Sequence, residues 1–287
     1  MSTTATQHKA WTARGADTAA QDTYASVRYA LRDIERRRSV EIFLQGSYAN
    51  HTNVRADSDV DIVVMTRQAF RGSRERLSTK AAQQYDALPA SSFTAQDLRN
   101  EITEALSMHY GSNRVEQKDK CIKVRKTAGY VDADVVPCIQ YQYYPDPDRV
   151  DVFIEGVSLR PLSGGSIINF PKEHKKNGEA KNRLCNERYK QTVRQVKRLR
   201  TAAVESGLLA HGVAPGYLLE CMTYNIPADR FVYDDSERLK NVVLWLKHAT
   251  MSGFWSCDEI HRLFTTDPGN FSTNTAKTIV DALWEVY

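Results

Sequence analysis

The pattern of apolar and polar residues predicts a helix and two strands in the first part of the chain. Apolar residues recur every three or four positions from Asp22 to Arg38, which is the period of an amphipathic helix. Ile42 to Leu44 then indicates a short strand that ends in Gln45-Gly46-Ser47, and Asp59 to Met65, rich in Val and Ile, indicates a second strand. Polar residues therefore lie at the ends of two predicted strands.

The middle of the chain is predicted to hold two helices and a set of strands. The helices run from Ser73 to Leu88 and from Thr94 to His109, with Thr94 as a candidate N-cap and Gly111 closing the second helix. Strand-like segments follow, separated by Gly, Pro and Asp, which favour turns. They span residues 114–118, 121–125, 130–136, 139–144 and 150–157.

After Gly164-Gly165 the pattern becomes helical. Apolar residues at helical spacing predict helices over residues 182–204, 216–224, 235–248, 258–264 and 273–286. A helix, then a mixed sheet, then a helical half is the order of an α+β protein. We therefore predict a first domain over residues 1–165, with an N-terminal helix and the sheet, and a helical domain over residues 166–287.

Composition narrows the class of protein. The 287 residues are 41% hydrophobic and 26% charged, a globular balance that suits one bilobal unit or two packed domains. Residues 1–21 are polar and lack an apolar core, so we expect neither a secretory signal nor a membrane anchor, and no membrane among the partners. Five scattered cysteines without a Cys-x-x-Cys pair predict reduced, mostly buried thiols in a cytoplasmic protein and no structural zinc.

The charge is unevenly distributed. The formal net charge is +4, yet Lys172 to Arg200 holds eleven Lys or Arg against three Glu. A charge run of this kind is usually a solvated helix face, and a surface that faces phosphate is the alternative interpretation.

Candidate chemistry starts with Asp59 and Asp61. Residues two apart on a strand point to one face, roughly 7 Å apart along the backbone. Paired carboxylates repel each other, and a divalent cation removes the repulsion. Alone, such a pair is more often an ordinary surface feature.

Two further features strengthen this pair. Gly46-Ser47 follows an apolar strand, where glycine lets the backbone approach an anion and the amides with the Ser hydroxyl can donate to phosphate. Downstream, Asp134 precedes the apolar Val135-Val136-Pro137, which favours it as a third carboxylate, with Asp132 as the fallback. Three carboxylates with hard oxygen ligands suit two Mg²⁺ ions, or Mn²⁺ in their place, for phosphoryl transfer.

Several longer stretches of the chain carry a recognisable pattern: Phe43 to Asn50, Thr52-Asn53, Asp57 to Val64, Asp134 to Pro137, Asn169 to Pro171, His174, Asn177-Gly178, Lys181-Asn182 and Pro215 to Cys221. In this order they resemble the cGAS/DncV-like nucleotidyltransferases of bacterial anti-phage signalling (CBASS). Gly-Ser with Asp-x-Asp is common to the polymerase-β-like superfamily, and the other stretches are more particular to this family. Gly216 departs from the pattern, because family members often have Ser there.

The resemblance implies a polymerase-β-like nucleotidyltransferase core and a C-terminal helical lobe, which together form a bilobal cage around two nucleotides. Such enzymes join nucleoside triphosphates into cyclic di- or trinucleotides that activate an effector during phage infection. The expected partners are nucleoside triphosphates and a regulatory or CBASS accessory protein, with no stable DNA complex. Bases and linkage stay open.

The resemblance also assigns nucleotide contacts beyond the turn at Gln45, Gly46 and Ser47. Lys197 matches a family lysine that meets the triphosphate, and Lys181 is a weaker candidate. Tyr217 is placed to stack on a base, although an aromatic at helical spacing is more often core. Asn169 carries a donor and an acceptor that suit a base edge, and we hypothesise that it favours uracil.

Two other functions remain open. A template-independent polymerase, such as an oligoadenylate synthetase, shares the carboxylate site and differs in its acceptor. A nucleic-acid-binding protein with incidental acids is supported by the basic stretch and would show salt-dependent binding without turnover.

Overall fold

The computed structural model describes residues 2–15, 17–54, 59–265 and 271–287, and the chain divides into two compact units. The sheet unit comprises Ala16–Tyr48 and Asp57–Lys172, and the helical unit comprises Met1–Gly15, Ala49–Ala56 and Glu173–Tyr287. This division differs from the sequence boundary at residue 165. The first fifteen residues and the segment before the Asp-x-Asp strand belong with the helices. Asp57 and Ser58, which are part of a quoted motif, lie outside the described residues.

The sheet unit combines helices with short and long strands. Its helices are α2 (Thr18–Ala30), α3 (Arg32–Arg37), α5 (Thr79–Asp86) and α6 (Ala95–Tyr110), while α1 (Ala5–Ala10) belongs to the helical unit and α4 (Gly46–Ala49) ends at the division. Its strands are β1 (Val40–Leu44), β2 (Val60–Gly72), β3 (Val115–Gln117), β4 (Ile122–Val124), β5 (Ala133–Tyr143), β6 (Ile154–Leu159) and β7 (Ile167–Asn169).

The strands form one mixed sheet. Within the described residues it has seven strands, in the order β1-β2-β5-β4-β3, with β6 pairing β5 and β7 pairing β6. The β2–β5 pair is parallel, whereas the other pairs are antiparallel. The predicted α+β class with a mixed sheet is confirmed.

Strand alternation gives the sheet two different faces. Ile62 and Val135 pack with Leu98 of α6 in a large buried cluster, so this face is covered by helices. The residues that alternate with them, Val63 and Val136, pack in a smaller cluster on the opposite face. Because side chains alternate along a strand, Asp61 and Asp134 emerge on this second face, at its edge.

The helical unit is built around a separate core. Its helices are α7 (Pro171–Leu184, which begins at the division), α8 (Tyr189–Glu205), α9 (Gly216–Tyr224), α10 (Asp235–His248) and α11 (Thr273–Val286). Val196 of α8, Leu218 of α9 and Leu283 of α11 belong to one buried cluster. In the described part of the chain, no helix has the length and apolar character needed to cross a bilayer.

The basic stretch is not a uniformly solvated face. Lys190, Arg194 and Lys197 of α8 are buried. Arg194 donates to the carbonyl oxygens of Thr12 and His51, at 2.6 Å each. Much of this positive charge therefore binds groups of the protein itself.

Helices with clear end signals were predicted well. The predicted Thr94–His109 helix is α6. The Thr94 side chain caps its N-terminus by accepting the backbone N–H of Asp97, and Gly111 follows the last turn. The predicted helices over residues 216–224 and 235–248 match α9 and α10. The five cysteines are free thiols, four of them buried and Cys121 partly so, as predicted.

Other elements were predicted wrongly. The helix expected over residues 258–264 is absent: the Asp258 carboxylate accepts the N–H groups of Ile260 and His261, a local turn that competes with a helix. The helix expected over residues 182–204 is divided between α7 and α8, because Asn186 and Glu187 adopt left-handed backbone conformations between them.

Candidate active site

Asp61 and Asp134 lie side by side on neighbouring strands. They are Cα partners in the parallel β2–β5 pair, so their side chains emerge on the same face of the sheet. Asp59 directly precedes β2 and its side chain is 45% exposed, so it is the open edge of the cluster. The structure therefore brings together the three carboxylates that the sequence singled out.

A lysine that the sequence reasoning missed joins this cluster. Lys123 on β4 is the Cα partner of Asp134, and its Nζ lies 2.5 Å from Oδ2 of Asp59 and 3.4 Å from Oδ1 of Asp134. The signal was present in the sequence. Ile122-Lys123-Val124 alternates apolar, polar and apolar, which places the lysine opposite its buried neighbours.

Asp61 is the most buried of the three carboxylates. Burial, followed by the charges of Asp134 and Asp59, raises its pKa from 3.8 to about 7, and Lys123 opposes the rise. A carboxyl group that is both desolvated and close to like charges gains strongly from a nearby cation.

The Gly-Ser turn contacts the same carboxylate. Gly46 has a φ of +67°, and a Cβ at this position would collide with Oδ2 of Asp61 and lie 3.4 Å from its Cγ. The backbone N–H of Gln45 donates to the carbonyl oxygen of Asp61 at 3.0 Å. Ser47 follows in the single turn of α4. Gln45, Gly46 and Ser47 are thus fixed against the Asp61 strand.

Asp132 has a different role. Its Oδ1 accepts the backbone N–H of Lys126 at 2.7 Å, which ties it to the loop after β4. Its Oδ2 lies 3.6 Å from Lys123 Nζ, farther than the corresponding oxygens of Asp59 and Asp134. The register with Asp61 favours Asp134, rather than Asp132, as the third carboxylate.

The donor set suits a hard divalent cation. Asp59, Asp61 and Asp134 offer oxygen ligands at the ends of adjacent strands, and the raised pKa of Asp61 reflects first its burial and then the neighbouring negative charges, which a cation would neutralise. Within the described residues, however, no three acidic, His or Cys side chains converge closely enough to define a metal site. Lys123 lies between Asp59 and Asp134 in this arrangement.

Lys197 belongs to a buried polar cluster in the helical unit. Its Nζ donates to Thr52 Oγ1 at 3.0 Å, to the Thr52 carbonyl at 3.2 Å and to Glu220 Oε2 at 3.1 Å. His174 Nε2 lies 3.0 Å from the other oxygen of Glu220. Burial raises the pKa of Glu220, but the charge of Lys197 and the hydrogen bond with His174 outweigh this effect. The pKa of Glu220 therefore lies well below its usual range.

The other family-matched residues of the helical unit, Gly216, Tyr217 and Lys181, have different surroundings. Gly216 packs against Lys197, since a Cβ there would lie 3.3 Å from its Cε. Tyr217 is 44% exposed, and its ring centroid is 5.7 Å from that of His174. Lys181 donates to the Ile226 carbonyl at 2.6 Å, and burial lowers its pKa. Tyr217 thus keeps an exposed aromatic surface, whereas Lys181 is engaged in local structure.

Asn169 is the last residue of β7 in the sheet unit. It is exposed, and its Cα partner on β6 is Val157. An exposed amide fixed by a strand can present its donor and acceptor to a ligand in a defined orientation.

The mixed sheet, the paired aspartates and the adjoining Gly-Ser turn define a nucleotidyltransferase. A nucleotidyltransferase domain model matches residues 27–155, and a model of the cGAS/DncV-like nucleotidyltransferase C-terminal helical domain matches residues 176–287.

Individual proteins agree with this class. The cyclic UMP-AMP synthase of Rhodothermus marinus (strain SG0.5JP17-172) is 37% identical over 97% of this chain and 96% of its own length. A cyclic dipurine nucleotide synthase of Elizabethkingia meningoseptica is 33% identical over 85% of this chain and 82% of its own length. The structure of Rhodothermus marinus CdnE c-UMP-AMP synthase with Apcpp and Upnpp superposes with a TM-score of 0.90 at 35% identity, covering 99% of this chain and 96% of that one. The chain belongs to the cGAS/DncV-like nucleotidyltransferases, as its motifs predicted.

Proposed function

We propose that this nucleotidyltransferase joins UTP and ATP into a cyclic UMP-AMP dinucleotide and releases pyrophosphate. The observation that carries the chemistry is the pairing of Asp61 with Asp134 across β2 and β5, with the Gly46 turn against Asp61. The 37% identity with the Rhodothermus marinus cyclic UMP-AMP synthase, over nearly the whole of both chains, supports the choice of product.

The reaction consists of two similar transfers. A ribose hydroxyl of one nucleotide attacks the α-phosphorus of the other, a P–O bond forms, and the bond to the β-phosphate oxygen breaks so that pyrophosphate leaves. A second transfer closes the ring. Two triphosphates therefore give one cyclic dinucleotide and two pyrophosphates.

The residues of the sheet unit supply the parts of each transfer. Asp134 is the carboxylate assigned to the attacking hydroxyl and its proton. The Gly46-Ser47 turn binds the triphosphate through backbone N–H groups and the Ser47 hydroxyl, because glycine allows the close approach. Divalent cations held by Asp59, Asp61 and Asp134, Mg²⁺ or Mn²⁺, would activate the hydroxyl and neutralise charge on the triphosphate.

Base choice and further nucleotide binding are assigned to Asn169 of the sheet unit and to three side chains of the helical unit. Asn169 offers an exposed amide that suits the paired donor and acceptor of uracil. Tyr217 offers a partly exposed ring for stacking on a base. Lys197 is assigned to the triphosphate by its motif, although its three donors bind Thr52 and Glu220 in this arrangement. Lys181 is the weaker candidate for the same role.

The biological setting follows from the family. A cyclic dinucleotide made in anti-phage defence would act on a separate effector, and an accessory protein would regulate the enzyme. Five free cysteines support a reducing compartment, the cytoplasm.

The product is tested by incubating the protein with each pair of nucleoside triphosphates and Mg²⁺, followed by phosphatase treatment and mass spectrometry. Cyclic UMP-AMP, which has no terminal phosphate, is the expected main product from UTP with ATP. A phosphatase-sensitive oligonucleotide would instead support a template-independent polymerase. A cyclic product without uridine would overturn the choice of bases and leave the cyclisation chemistry standing.

The proposed role of Asn169 has its own test. Asn169→Ser is expected to lower the preference for UTP over CTP, and an unchanged preference would remove this residue from base selection.

A further inference from the structure

Lys123 is surrounded by the acidic groups of the candidate active site. Its ammonium contacts Asp59 at 2.5 Å, Asp134 at 3.4 Å and Asp132 at 3.6 Å, and its side chain is only 14% exposed. Strand pairing fixes it there, because Lys123 is the Cα partner of Asp134 in the β4–β5 pair. The lysine is therefore built into the sheet beside the carboxylates and is not a surface side chain that meets them by chance.

The contacts of Lys123 overlap with the proposed ligands of the divalent cations. Asp59 and Asp134 would have to turn their oxygens towards a metal ion, yet both face the ammonium here. An ammonium and a divalent cation that face the same carboxylate oxygens repel each other, and at such short range this repulsion is large in a partly buried site.

We propose that Lys123 is a positioning residue that acts as a resident counter-cation: it holds Asp59 and Asp134 together until a divalent cation displaces it from Asp59. The proposal rests on the metal requirement of the proposed function. Its consequence is that Lys123 weakens the binding of a divalent cation in the absence of nucleotide. The carboxylates then bind the cation mainly when a triphosphate supplies further ligands to it.

The experiment measures Mn²⁺ binding to the nucleotide-free protein by electron paramagnetic resonance of the free ion. Lys123→Met removes the ammonium and keeps much of the side-chain volume, and it is expected to lower the Kd for Mn²⁺ by about tenfold. Lys123→Arg keeps the positive charge, so its Kd for Mn²⁺ is expected to be close to that of the wild type. If Lys123 had only a structural role, its replacement by Met would not make Mn²⁺ bind more tightly.

A matched control separates the local effect from a general change in charge. Lys118 is 49% exposed and pairs with Glu116. Lys118→Met changes the net charge equally and is expected to leave the Kd for Mn²⁺ unchanged. Lys123→Gln provides a second neutral variant if Lys123→Met does not fold, and the rise in Tm on adding Mn²⁺ should be larger for either neutral variant than for the wild type.

The outcomes distinguish this inference from the proposed function. If Asp61→Asn abolishes Mn²⁺ binding but the neutral Lys123 variants bind no more tightly than the wild type, the inference is overturned and the metal site stands. If neither the wild-type protein nor a neutral Lys123 variant binds Mn²⁺ in a manner that depends on Asp61, with or without a triphosphate, both the inference and the metal requirement are overturned.

Discussion

Gly46 lies so close to Asp61 that the carboxylate occupies the space where any other residue would carry its Cβ. The turn that follows β1 and the carboxylate on β2 are therefore held in direct contact, and the Gln45 N–H to Asp61 carbonyl hydrogen bond fixes the same pair of segments. This contact joins the proposed phosphate-binding turn to the proposed metal site.

Gly46→Ala should therefore impair activity more than a positive φ alone explains. The added methyl must push the Asp61 carboxylate aside, and misplacement of a catalytic group by about 1 Å costs on the order of 100-fold in rate. We expect at least this loss in pyrophosphate release, together with reduced stability.

Gly129→Ala is the matched control for this variant. Gly129 also has a positive φ, +85°, but nothing lies within 4 Å of the position of its Cβ. Its variant should lose about 1 kcal/mol of stability from backbone strain and keep its activity. Equal activity of the two variants would show that the contact with Asp61 is unimportant.

Asp132, which precedes β5, and Asp134, which lies within it, should behave differently. Asp134→Asn removes a carboxylate beside Asp61 and is expected to lower the rate by at least ~100-fold. Asp132→Asn should retain activity within about threefold, because its amide oxygen still accepts the Lys126 N–H. Steady-state rates for both variants decide the matter, and a reversed order would make Asp132 the third carboxylate.

Local sequence signals were sufficient for much of the fold and for the carboxylates. Thr94 and Gly111 mark the ends of a helix by their capping chemistry, and the Val and Ile residues from Val60 to Val64 mark a strand. Because side chains alternate between the two faces of a strand, Asp61 and Asp134 lie on one face once their strands are neighbours. Only the register of β2 with β5 shows that these residues are direct partners.

Other features depend on contacts that no short pattern contains. The end of α7 depends on left-handed residues Asn186 and Glu187, which are not glycines. The strand β5 continues through Pro137, which the sequence indicated as a break between two strands. The place of Lys123 among the carboxylates required the pairing of β4 with β5.

Breaking the buried pair Lys197–Glu220 should strongly lower the free energy of unfolding. Glu220→Gln leaves the Lys197 ammonium buried without a carboxylate, a change that typically costs about 3–5 kcal/mol. The double variant Lys197→Met with Glu220→Gln should lose less than the sum of the two single variants, as measured by urea unfolding. Additive losses would show that the two groups do not interact. Glu116→Gln, at an exposed pair with Lys118, is the control and should change stability little.

Stability should depend on pH through Glu155. Burial raises its pKa, but hydrogen bonds from Arg67, Lys172 and Gln140 outweigh this and lower it from 4.5 to about 2. A depressed folded-state pKa stabilises the protein above pH 4.5, and this contribution is lost as the pH falls towards 2.

Glu155→Gln removes this contribution. The variant should be less stable than the wild type by about 1–3 kcal/mol at pH 7, after allowance for partial solvent screening. The difference should narrow as the pH falls below 4.5, in urea unfolding at a series of pH values. A difference that stays constant down to pH 3 would show that the Glu155 charge does not contribute.

The most direct measurement compares wild-type protein with Asp61→Asn in the turnover of UTP and ATP labelled at the α-phosphate. The proposed mechanism predicts that the wild type converts both into a phosphatase-resistant product. It predicts a loss of at least ~100-fold for Asp61→Asn. The folded variant should be at least as stable as the wild type, since the substitution removes a buried charge that lies beside Asp134 and Asp59. Equal turnover by both folded proteins, or no consumption of any triphosphate by the wild type, would contradict the assignment of these carboxylates to nucleotidyl transfer.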